Sequence, residues 1–275
     1  MIFENYPIPL PLEPYIEAIF YFKDFMPDHH VERFVPTGNI YLLFELDGIT
    51  RHTLNNELVP LRSFTNAWIS GMQRYYLNIS AHPHSEMLVV KFKPFGAFPV
   101  FQFPIDTIND CIEPAERYFG TDILNLRNQF IENKSVTEKF AAMEAWLIDH
   151  CDPALQAPEE LVQVMEALQA HPFARHQEIL AGYPKSQKHL IQQFKKYGGL
   201  TPKIFHRILR FNKLLENINL KESIVWSDIS YETGYADQSH FIKDFNAFCG
   251  INPTSYIQNG FNDSIPNFFP LDREG

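Results

Sequence analysis

In the first third of the chain, apolar residues occur in short runs between turn residues. The run Ile40–Leu46 is mostly apolar, follows the turn residues Pro36–Asn39 and ends at Asp47-Gly48. Met87–Phe92 is a second run of this kind. Runs of this length between turn residues are typical of β-strands, and several of them predict a sandwich or small barrel over residues 1–112. Further strands are predicted at Tyr15–Phe25, Ala67–Ile69 and Tyr75–Ser80.

From about residue 113 the apolar residues recur with a helical period. In Val136–His150, the apolar residues Phe140, Met143, Trp146 and Leu147 fall on one face of a helix. Residues 113–170 therefore form a helical connector, which we also consider a candidate dimer interface. The helices predicted in this connector are Pro114–Phe119, Ile123–Glu132, Val136–His150 and Glu159–Ala170.

The C-terminal third contains an internal repeat. Residues 186–205 and 237–256 match each other at an offset of 51 positions. Each copy has a residue suited to cap a helix, an apolar stripe with four-residue spacing, a glycine that ends the helix and a proline that suits the start of the next. These paired landmarks are Ser186 and Asp237, Leu190 and Phe241, Phe194 and Phe245, Gly199 and Gly250, and Pro202 and Pro253.

Each copy of the repeat follows a predicted short helix and a turn that contains glycine. The first pair is Arg175–Leu180 with Gly182-Tyr183, and the second is Trp226–Glu232 with Thr233–Tyr235. A helix, a tight turn and a second helix with a polar outer face form the helix-turn-helix pattern. One long amphipathic helix, Pro202–Asn217, is predicted between the two units. Residues 171–260 are thus predicted to be an all-α domain with two helix-turn-helix units.

The second unit resembles the signature of the AraC/XylS family of transcription regulators. The residues that carry the resemblance are Trp226–Phe245, which include Gly234-Tyr235 and Asp237-Gln-Ser-His-Phe241, and Gly250–Tyr256. The resemblance implies a seven-helix-type DNA-binding module. It also implies double-stranded DNA as a partner and RNA polymerase as a second candidate partner.

The N-terminal residues are similar to the sensor domains of one branch of this family. The similarity rests on Val35–Gly38, Ser70–Met72 and Lys91–Ala97. It implies an α+β chain whose β-rich sensor, in the wider family often a cupin-like barrel, binds an unknown small-molecule effector or forms a homodimer. Sequence-specific DNA binding controlled by such an effector is the predicted function. A constitutive DNA-binding regulator with a dimerising N-terminal domain is the alternative.

Charge is distributed unevenly along the chain, and the C-terminal segment is basic. The net charge is −10, but residues 1–170 carry 11 basic and 23 acidic side chains, a net of −12. Residues 171–260 carry 11 basic and 7 acidic side chains, a net of +4, and residues 261–275 have a net of −2 and are expected to form a flexible tail. A basic segment can contact phosphates, whereas the acidic remainder is repelled from them.

Composition also excludes some classes of protein. The three cysteines are widely separated, which argues against a disulfide framework or a zinc ribbon. No run of 18 apolar residues predicts a membrane span, and residues 1–12 lack the basic start of a signal peptide. We therefore expect a cytoplasmic protein without a membrane partner.

The outward face of each second helix holds the candidates for DNA contact. Glutamine can pair with adenine, lysine with guanine, and isoleucine can meet the methyl group of thymine. Lysine and arginine further along the module can neutralise phosphates, which positions the protein without reading sequence. The base-contact candidates are Gln187, Lys188, Ile191, Gln192, Gln238, Ser239, Ile242 and Lys243, and the phosphate candidates are Lys195, Lys196, Lys203 and Arg207.

Aromatic residues on or near the predicted strands are candidates for an apolar effector pocket, although a packed core is the alternative explanation. These candidates are Phe22, Phe34, Tyr41, Phe44, Trp68, Tyr75 and Phe92.

The chain has no motif for a nucleotide cofactor or a catalytic serine. His82, His84 and Glu86 are the nearest approach to a metal cluster, but their spacing differs from that of cupin enzymes. We expect no enzyme activity, cofactor or metal, and a metal-dependent cupin enzyme fused to a DNA-binding module remains a rival hypothesis.

Overall fold

The computed structural model describes residues 1–132, 135–219, 226, 229, 233–235, 237–259 and 267–272. Two antiparallel sheets form its N-terminal part. The first sheet has the strand order β1-β2-β9-β4-β7-β10, and the second has the order β11-β3-β8-β5-β6. The strands are β1 Ile2–Tyr6, β2 Ile16–Phe25, β3 Val31–Phe34, β4 Ile40–Glu45, β5 Arg51–Leu54, β6 Pro60–Phe64, β7 Ala67–Ser70, β8 Leu77–Ser80, β9 Ser85–Phe92, β10 Ile112–Pro114 and β11 Phe268–Pro270.

The predicted strands are confirmed at β2, β4, β7, β8 and β9. The sequence analysis did not predict β1, β3, β5, β6, β10 or β11. These strands have three to five residues each, so that alternation within them is too brief to stand out. Their formation depends on pairing with strands that are distant in the chain.

Alternation along the strands of the first sheet produces two separate apolar layers. In β4, Ile40, Leu42 and Phe44 lie in the main core of the molecule. Tyr41 and Leu43 belong to a second cluster, which lies between the two sheets. Successive side chains of a strand point to opposite faces, so neighbours in the sequence enter different layers.

Helices cover the outer face of the first sheet. They are α1 Ala97–Phe101, α2 Glu116–Glu132, α3 Val136–His150 and α4 Glu159–Ala170. Gly120 interrupts α2, because its φ of 61° and ψ of −145° are not helical. This break agrees with the prediction of two separate helices, Pro114–Phe119 and Ile123–Glu132. Phe130 of α2 packs edge-on against Phe44 with ring centroids 5.1 Å apart. The predicted connector is thus also a layer of the N-terminal domain.

The C-terminal helices follow the predicted pattern. They are α5 His176–Leu180, α6 Gln187–Gly198, α7 Pro202–Asn219, α8 Gln238–Cys249 and α9 Pro253–Gln258. The predicted helix Trp226–Glu232 lies mostly outside the described residues, although Trp226 and Ile229 are helical. None of the helices among the described residues is long and apolar enough to cross a membrane.

Part of the segment that was expected to form a flexible tail is a β-strand. Phe268–Pro270 form β11 and pair antiparallel with β3 of the second sheet. The sequence did not predict this strand, because the strand that it pairs with lies more than 230 positions earlier in the chain. The acidic composition of residues 261–275 also did not indicate a strand.

The helical domain packs against the N-terminal domain through aromatic contacts. The ring of Phe194 on α6 lies 4.9 Å from that of Phe95, and Tyr197 lies 4.7 Å from Phe98. The side-chain amide of Asn212 on α7 donates to the carbonyl oxygen of Thr37 at 3.1 Å. These contacts join the two domains into one continuous core.

Candidate nucleic-acid interface

The first helix-turn-helix unit is formed by α5 and α6. The hydroxyl of Ser186 accepts a hydrogen bond from the backbone N–H of His189 at 3.2 Å, which caps the N-terminus of α6. Gly199, with a φ of 84°, ends α6 in a conformation that glycine adopts without strain. Both roles are those that the repeat predicts.

The second unit repeats this geometry around α8. Asp237 accepts from the backbone N–H of His240 at 2.8 Å, and Gly250 ends the helix with a φ of 70°. The turn before α8 also uses a left-handed glycine, Gly234, with a φ of 70°. At the repeat offset of 51 positions, Tyr183 takes the place of Gly234, and the neighbouring Gly182 has no positive φ. The two turns therefore differ in detail.

The structure leaves most base-contact candidates accessible. The candidates on α6 and three of those on α8 are exposed, whereas Ile242 is half-buried. Ile242 lines a groove of about 430 Å³ together with Trp226 and Asn252. It therefore packs partly against its own unit, which was one of the two interpretations of an isoleucine on this face. The exposed candidates are Gln187, Lys188, Ile191, Gln192, Gln238, Ser239 and Lys243.

The four phosphate candidates divide into two pairs. Lys195 and Lys203 are exposed. The ammonium group of Lys196 instead lies 5.0 Å from the ring centroid of Phe98 in the N-terminal domain. Arg207 forms an ion pair with Asp244, with its NH2 atom 2.6 Å from Oδ1. Lys195 and Lys203 are therefore the accessible phosphate candidates, whereas Lys196 and Arg207 have partners within the protein.

Asp244 has a structural role that the sequence analysis missed. Its side chain is 3% exposed and joins α8 to α7 through Arg207. The signal was present, since Asp244 occupies the apolar stripe of α8, one turn from Phe241 and Phe248. A buried carboxylate requires a cationic or hydrogen-bonding partner.

The N-terminal domain contacts the C-terminal ends of α6 and α8. At the end of α6, the side-chain amide of Asn109 donates to the carbonyl oxygen of Gly199. At the end of α8, the guanidinium of Arg33 donates to the carbonyl oxygen of Cys249 at 2.9 Å. The N-terminal halves of both helices, which carry most base-contact candidates, stay open. Within the described residues, the acidic domain therefore does not cover the exposed candidates.

The seven effector-pocket candidates do not line one pocket. Phe22, Tyr41 and Trp68 belong to the cluster between the sheets, and Phe34 packs edge-on against Tyr41. Phe44 and Phe92 point to the opposite face of the first sheet, into the main core, because strand alternation places them there. Tyr75 is 58% exposed in the segment before β8. Of the seven candidates, the four that face the space between the sheets are Phe22, Phe34, Tyr41 and Trp68.

The space between the sheets is filled largely by apolar side chains, and it also contains a buried contact between the Glu45 carboxyl and the Arg51 guanidinium. Glu45 is 0% exposed and accepts a hydrogen bond from the indole N–H of Trp68 at 2.8 Å. Its Oε2 lies 2.8 Å from the NH1 atom of Arg51, outside hydrogen-bonding geometry. Tyr41 is only half-buried although it faces this space.

Glu45 leads to a prediction about stability and pH. Burial raises the pKa of Glu45 from 4.5 to about 8, despite the nearby cation of Arg51. The folded state thus retains a proton that the unfolded chain releases, so Glu45 lowers the free energy of unfolding as pH rises from 4.5 to about 8. We expect urea unfolding at pH 5 and pH 8 to show a loss at least about 1 kcal/mol smaller in Glu45→Gln than in the native protein. Equal losses in the two proteins would show that Glu45 is ionised in the folded state.

A cleft lies between the β-rich part of the N-terminal domain and α4. This cleft has a volume of about 580 Å³, and Tyr15, Phe95 and Met165 contribute apolar surface to it. Glu17 and Lys93 lie on its rim. The cleft is close to α6, since Phe95 also contacts Phe194.

The residues considered for a metal site have other partners. Nε2 of His82 lies 2.9 Å from the hydroxyl of Ser80, and Glu86 accepts from the hydroxyl of Tyr21 at 2.7 Å. In the part of the chain that the structure describes, no group of three or more side chains is arranged to bind a metal ion.

Comparison with known protein families assigns both ends of the chain. The family described as a helix-turn-helix domain matches residues 183–259, which contain α6 and α8. A domain of unknown function, DUF6597, matches residues 4–113. No curated protein matches the sequence.

Solved structures of ToxT from Vibrio cholerae are similar to this chain. A structure at 1.65 Å resolution shares 11% identity, with 88% of this chain and 98% of that chain covered and a TM-score of 0.44. The complex with (E)-4-(8-methylnaphthalen-1-yl)but-3-enoic acid shares 11% identity, with 88% of this chain and 99% of that chain covered and a TM-score of 0.45. The complex with an unsaturated fatty acid shares 11% identity, with 87% of this chain and 93% of that chain covered and a TM-score of 0.40. Since every TM-score is below 0.5, we infer nothing about this chain from these likenesses.

Proposed function

We propose that this chain, which carries an AraC-type helix-turn-helix domain at its C-terminus, is a transcription regulator whose DNA binding responds to a small molecule in its N-terminal β domain. DNA binding carries this proposal most directly. The match to the helix-turn-helix family covers α6 and the second unit. The proposed recognition helices, α6 and α8, both have accessible polar N-terminal halves. The match to the helix-turn-helix family supports a regulator, a class of protein that is normally not enzymatic.

The two recognition helices would enter successive major grooves, roughly 34 Å apart along the DNA. Exposed glutamine and lysine side chains on α6 and α8 would read base edges, while Lys195 and Lys203 would contact phosphates. The acidic N-terminal domain adds no attraction to DNA, so the helical domain would carry the binding.

The space between the two sheets is the proposed effector site. Its aromatic surface is supplied by Phe22, Phe34, Tyr41 and Trp68. Its polar groups are the Glu45 carboxyl and the Arg51 guanidinium. An effector there would need to alter DNA affinity by only ~1–3 kcal/mol to act as a switch. The cleft beside α4 is the second candidate site, because Phe95 connects it directly to α6. RNA polymerase and a second copy of the chain remain predictions from the family resemblance. A cytoplasmic location remains a prediction from composition.

Selection of random duplex DNA by the full-length protein, at a salt concentration of about 150 mM, tests the DNA-binding function. We expect enrichment of a site with two boxes about one helical turn apart. A control protein with Gln187, Lys188, Gln238 and Lys243 all changed to alanine should enrich no such site. If the native protein also enriches none, sequence-specific binding by this chain alone is excluded under these conditions.

Effector control needs a separate measurement. Affinity for the selected site would be measured with and without small-molecule fractions of a cell extract. A change of about fivefold or more that disappears when Tyr41 is changed to alanine would support the site between the sheets. The same DNA affinity with every fraction would favour the constitutive regulator.

A further inference from the structure

The last described segment of the chain is tied to the N-terminal domain along its whole length. In the antiparallel pairing of β11 with β3, Phe268 lies opposite Phe34 and Phe269 opposite Arg33. The backbone N–H of Val35 donates to the carbonyl oxygen of Asn267 at 2.8 Å. At the other end, backbone N–H groups of β3 and the residue before it donate to the carboxylate of Asp272. These donors are Val31 at 2.9 Å and His30 at 3.1 Å.

One face of this strand pair borders the space between the sheets. The ring of Phe268 lies 4.8 Å from that of Phe34, which in turn lies 5.9 Å from Tyr41. Phe268 retains 36% of its accessible surface. A molecule that enters beside Tyr41 would therefore meet both Phe34 and Phe268.

The other face of the same strand pair contacts the second helix-turn-helix unit. Phe269 is 1% exposed and lies edge-on to Tyr256 of α9, with ring centroids 5.9 Å apart. Arg33 donates to the carbonyl oxygen of Cys249 at the end of α8. Next to this carbonyl, Gly250 leaves no room for a Cβ atom beside Arg33 and Tyr76. The alternation of a β-strand thus places adjacent residues in contact with different domains.

We propose that residues 267–272 form a latch which holds the second helix-turn-helix unit against the N-terminal domain, and which opens when a small molecule occupies the space between the sheets. The coupling to a small molecule rests on the function proposed above, whereas the latch itself rests on the contacts of β11. The ligand that fits is apolar and aromatic, because Phe34, Tyr41 and Phe268 would be its neighbours. Displacement of Phe268 pulls β11 from β3 and withdraws Phe269 from Tyr256.

The charge distribution determines the direction of the switch. With the latch closed, the second unit is held close to residues 1–170, which have a net charge of −12. Bringing this domain near DNA phosphates costs free energy, and the cost decreases as salt screens the charges. Opening the latch lets the second unit approach DNA at a greater distance from the acidic surface. Opening therefore strengthens DNA binding.

Two truncations of the full chain test the latch. One ends at residue 266 and lacks the latch, whereas the matched control ends at residue 272 and retains it. Hydrogen exchange should be about tenfold faster in α8 and α9 of the shorter protein, and unchanged in α6. The shorter protein should also bind duplex DNA carrying the selected site about fivefold or more tightly at ~100 mM salt, with a smaller difference at ~300 mM.

The two parts of the result separate the latch from the proposed function. Equal exchange in α8 and α9 of the two truncations would overturn the latch, whatever their DNA affinity. Faster exchange with equal or weaker DNA binding would overturn the direction of the switch. If the control truncation and the native chain do not select DNA at all, the proposed function fails while the exchange result still stands.

Point substitutions cover the case in which the shorter protein does not fold. Phe269→Ala removes the contact with Tyr256, and Asp272→Ala removes the acceptor for two backbone N–H groups of the β3 segment. Both should accelerate exchange in α8 and α9 as the truncation does.

Coupling to the space between the sheets is tested without a ligand by Tyr41→Trp. The larger ring presses on Phe34 from the position that a ligand would take, so exchange in α8 and α9 should also become faster. Unchanged exchange in Tyr41→Trp, with faster exchange in Phe269→Ala, would leave the latch in place but overturn its coupling to this space.

Discussion

Replacing Lys243 with alanine should remove the base preference at one position of the DNA site and lower specific affinity about 10- to 100-fold. Lys243 is exposed in the N-terminal half of α8, where a recognition helix presents side chains to base edges. A lysine that donates to guanine acceptors contributes about 1–3 kcal/mol of discrimination against other bases. On random DNA the same substitution should have a small effect, because only one phosphate-attracting charge is lost.

Lys195→Ala is the matched control, since Lys195 is also an exposed lysine on a recognition helix. It lies in the last turn of α6, where we expect contact with phosphate and not with bases. This variant should weaken binding to all sequences by the same factor and reduce the slope of log affinity against log salt by about 0.9. Titrations on selected and random duplexes at several salt concentrations measure both quantities. Equal losses on the two duplexes for Lys243→Ala would show that α8 does not read bases through this residue.

Replacing Gly71 with alanine should lower the free energy of unfolding by about 3 kcal/mol or more. Gly71 follows β7, and its backbone N–H donates to the carbonyl oxygen of Cys111 at 3.0 Å. A Cβ atom at this position would overlap the backbone carbonyl group of Ile108. Backbone cannot move aside as a side chain can, so the 3₁₀ turn Ile105–Ile108 would be pushed away from the sheet.

The damage should extend beyond the N-terminal domain, because this turn also supports α6. Ile105 and Asn109 lie against Gly199 at the end of that helix. Gly182→Ala is the control, since a Cβ atom at Gly182 would meet open space and its φ is not positive. We expect urea unfolding to give a native-like midpoint for the control and a much lower midpoint for Gly71→Ala. Equal midpoints would mean that the turn shifts at no cost.

The C-terminal domain could be predicted well because its signals are local. Ser186 and Asp237 cap helices, Gly199 and Gly250 end them, and each role depends on residues within one or two turns. A capping residue and a glycine also occur at the matching positions of both repeat copies, which supports the prediction of each helix end. The exposed side of the two recognition helices followed from helical periodicity alone.

The proposed effector site could be predicted only in part. Aromatic residues were recognised as a group, but strand alternation placed Phe44 and Phe92 on the opposite face from Tyr41. The faces become known only when the strand bounds and the position of each sheet are known. Glu45 and Arg51 were missed because a charged residue within a strand reads as solvent-facing until a second sheet covers it.

The sequence by itself determined the helices of the DNA-binding domain, their caps and their outward side chains, because these depend on contacts between near neighbours in the chain. Only the tertiary structure decided which charges are free to meet DNA. Lys196 lies over Phe98 and Arg207 binds Asp244, because distant segments approach them. It also decided that Phe268–Pro270 form a strand, since a strand is stabilised by a partner that local composition cannot reveal.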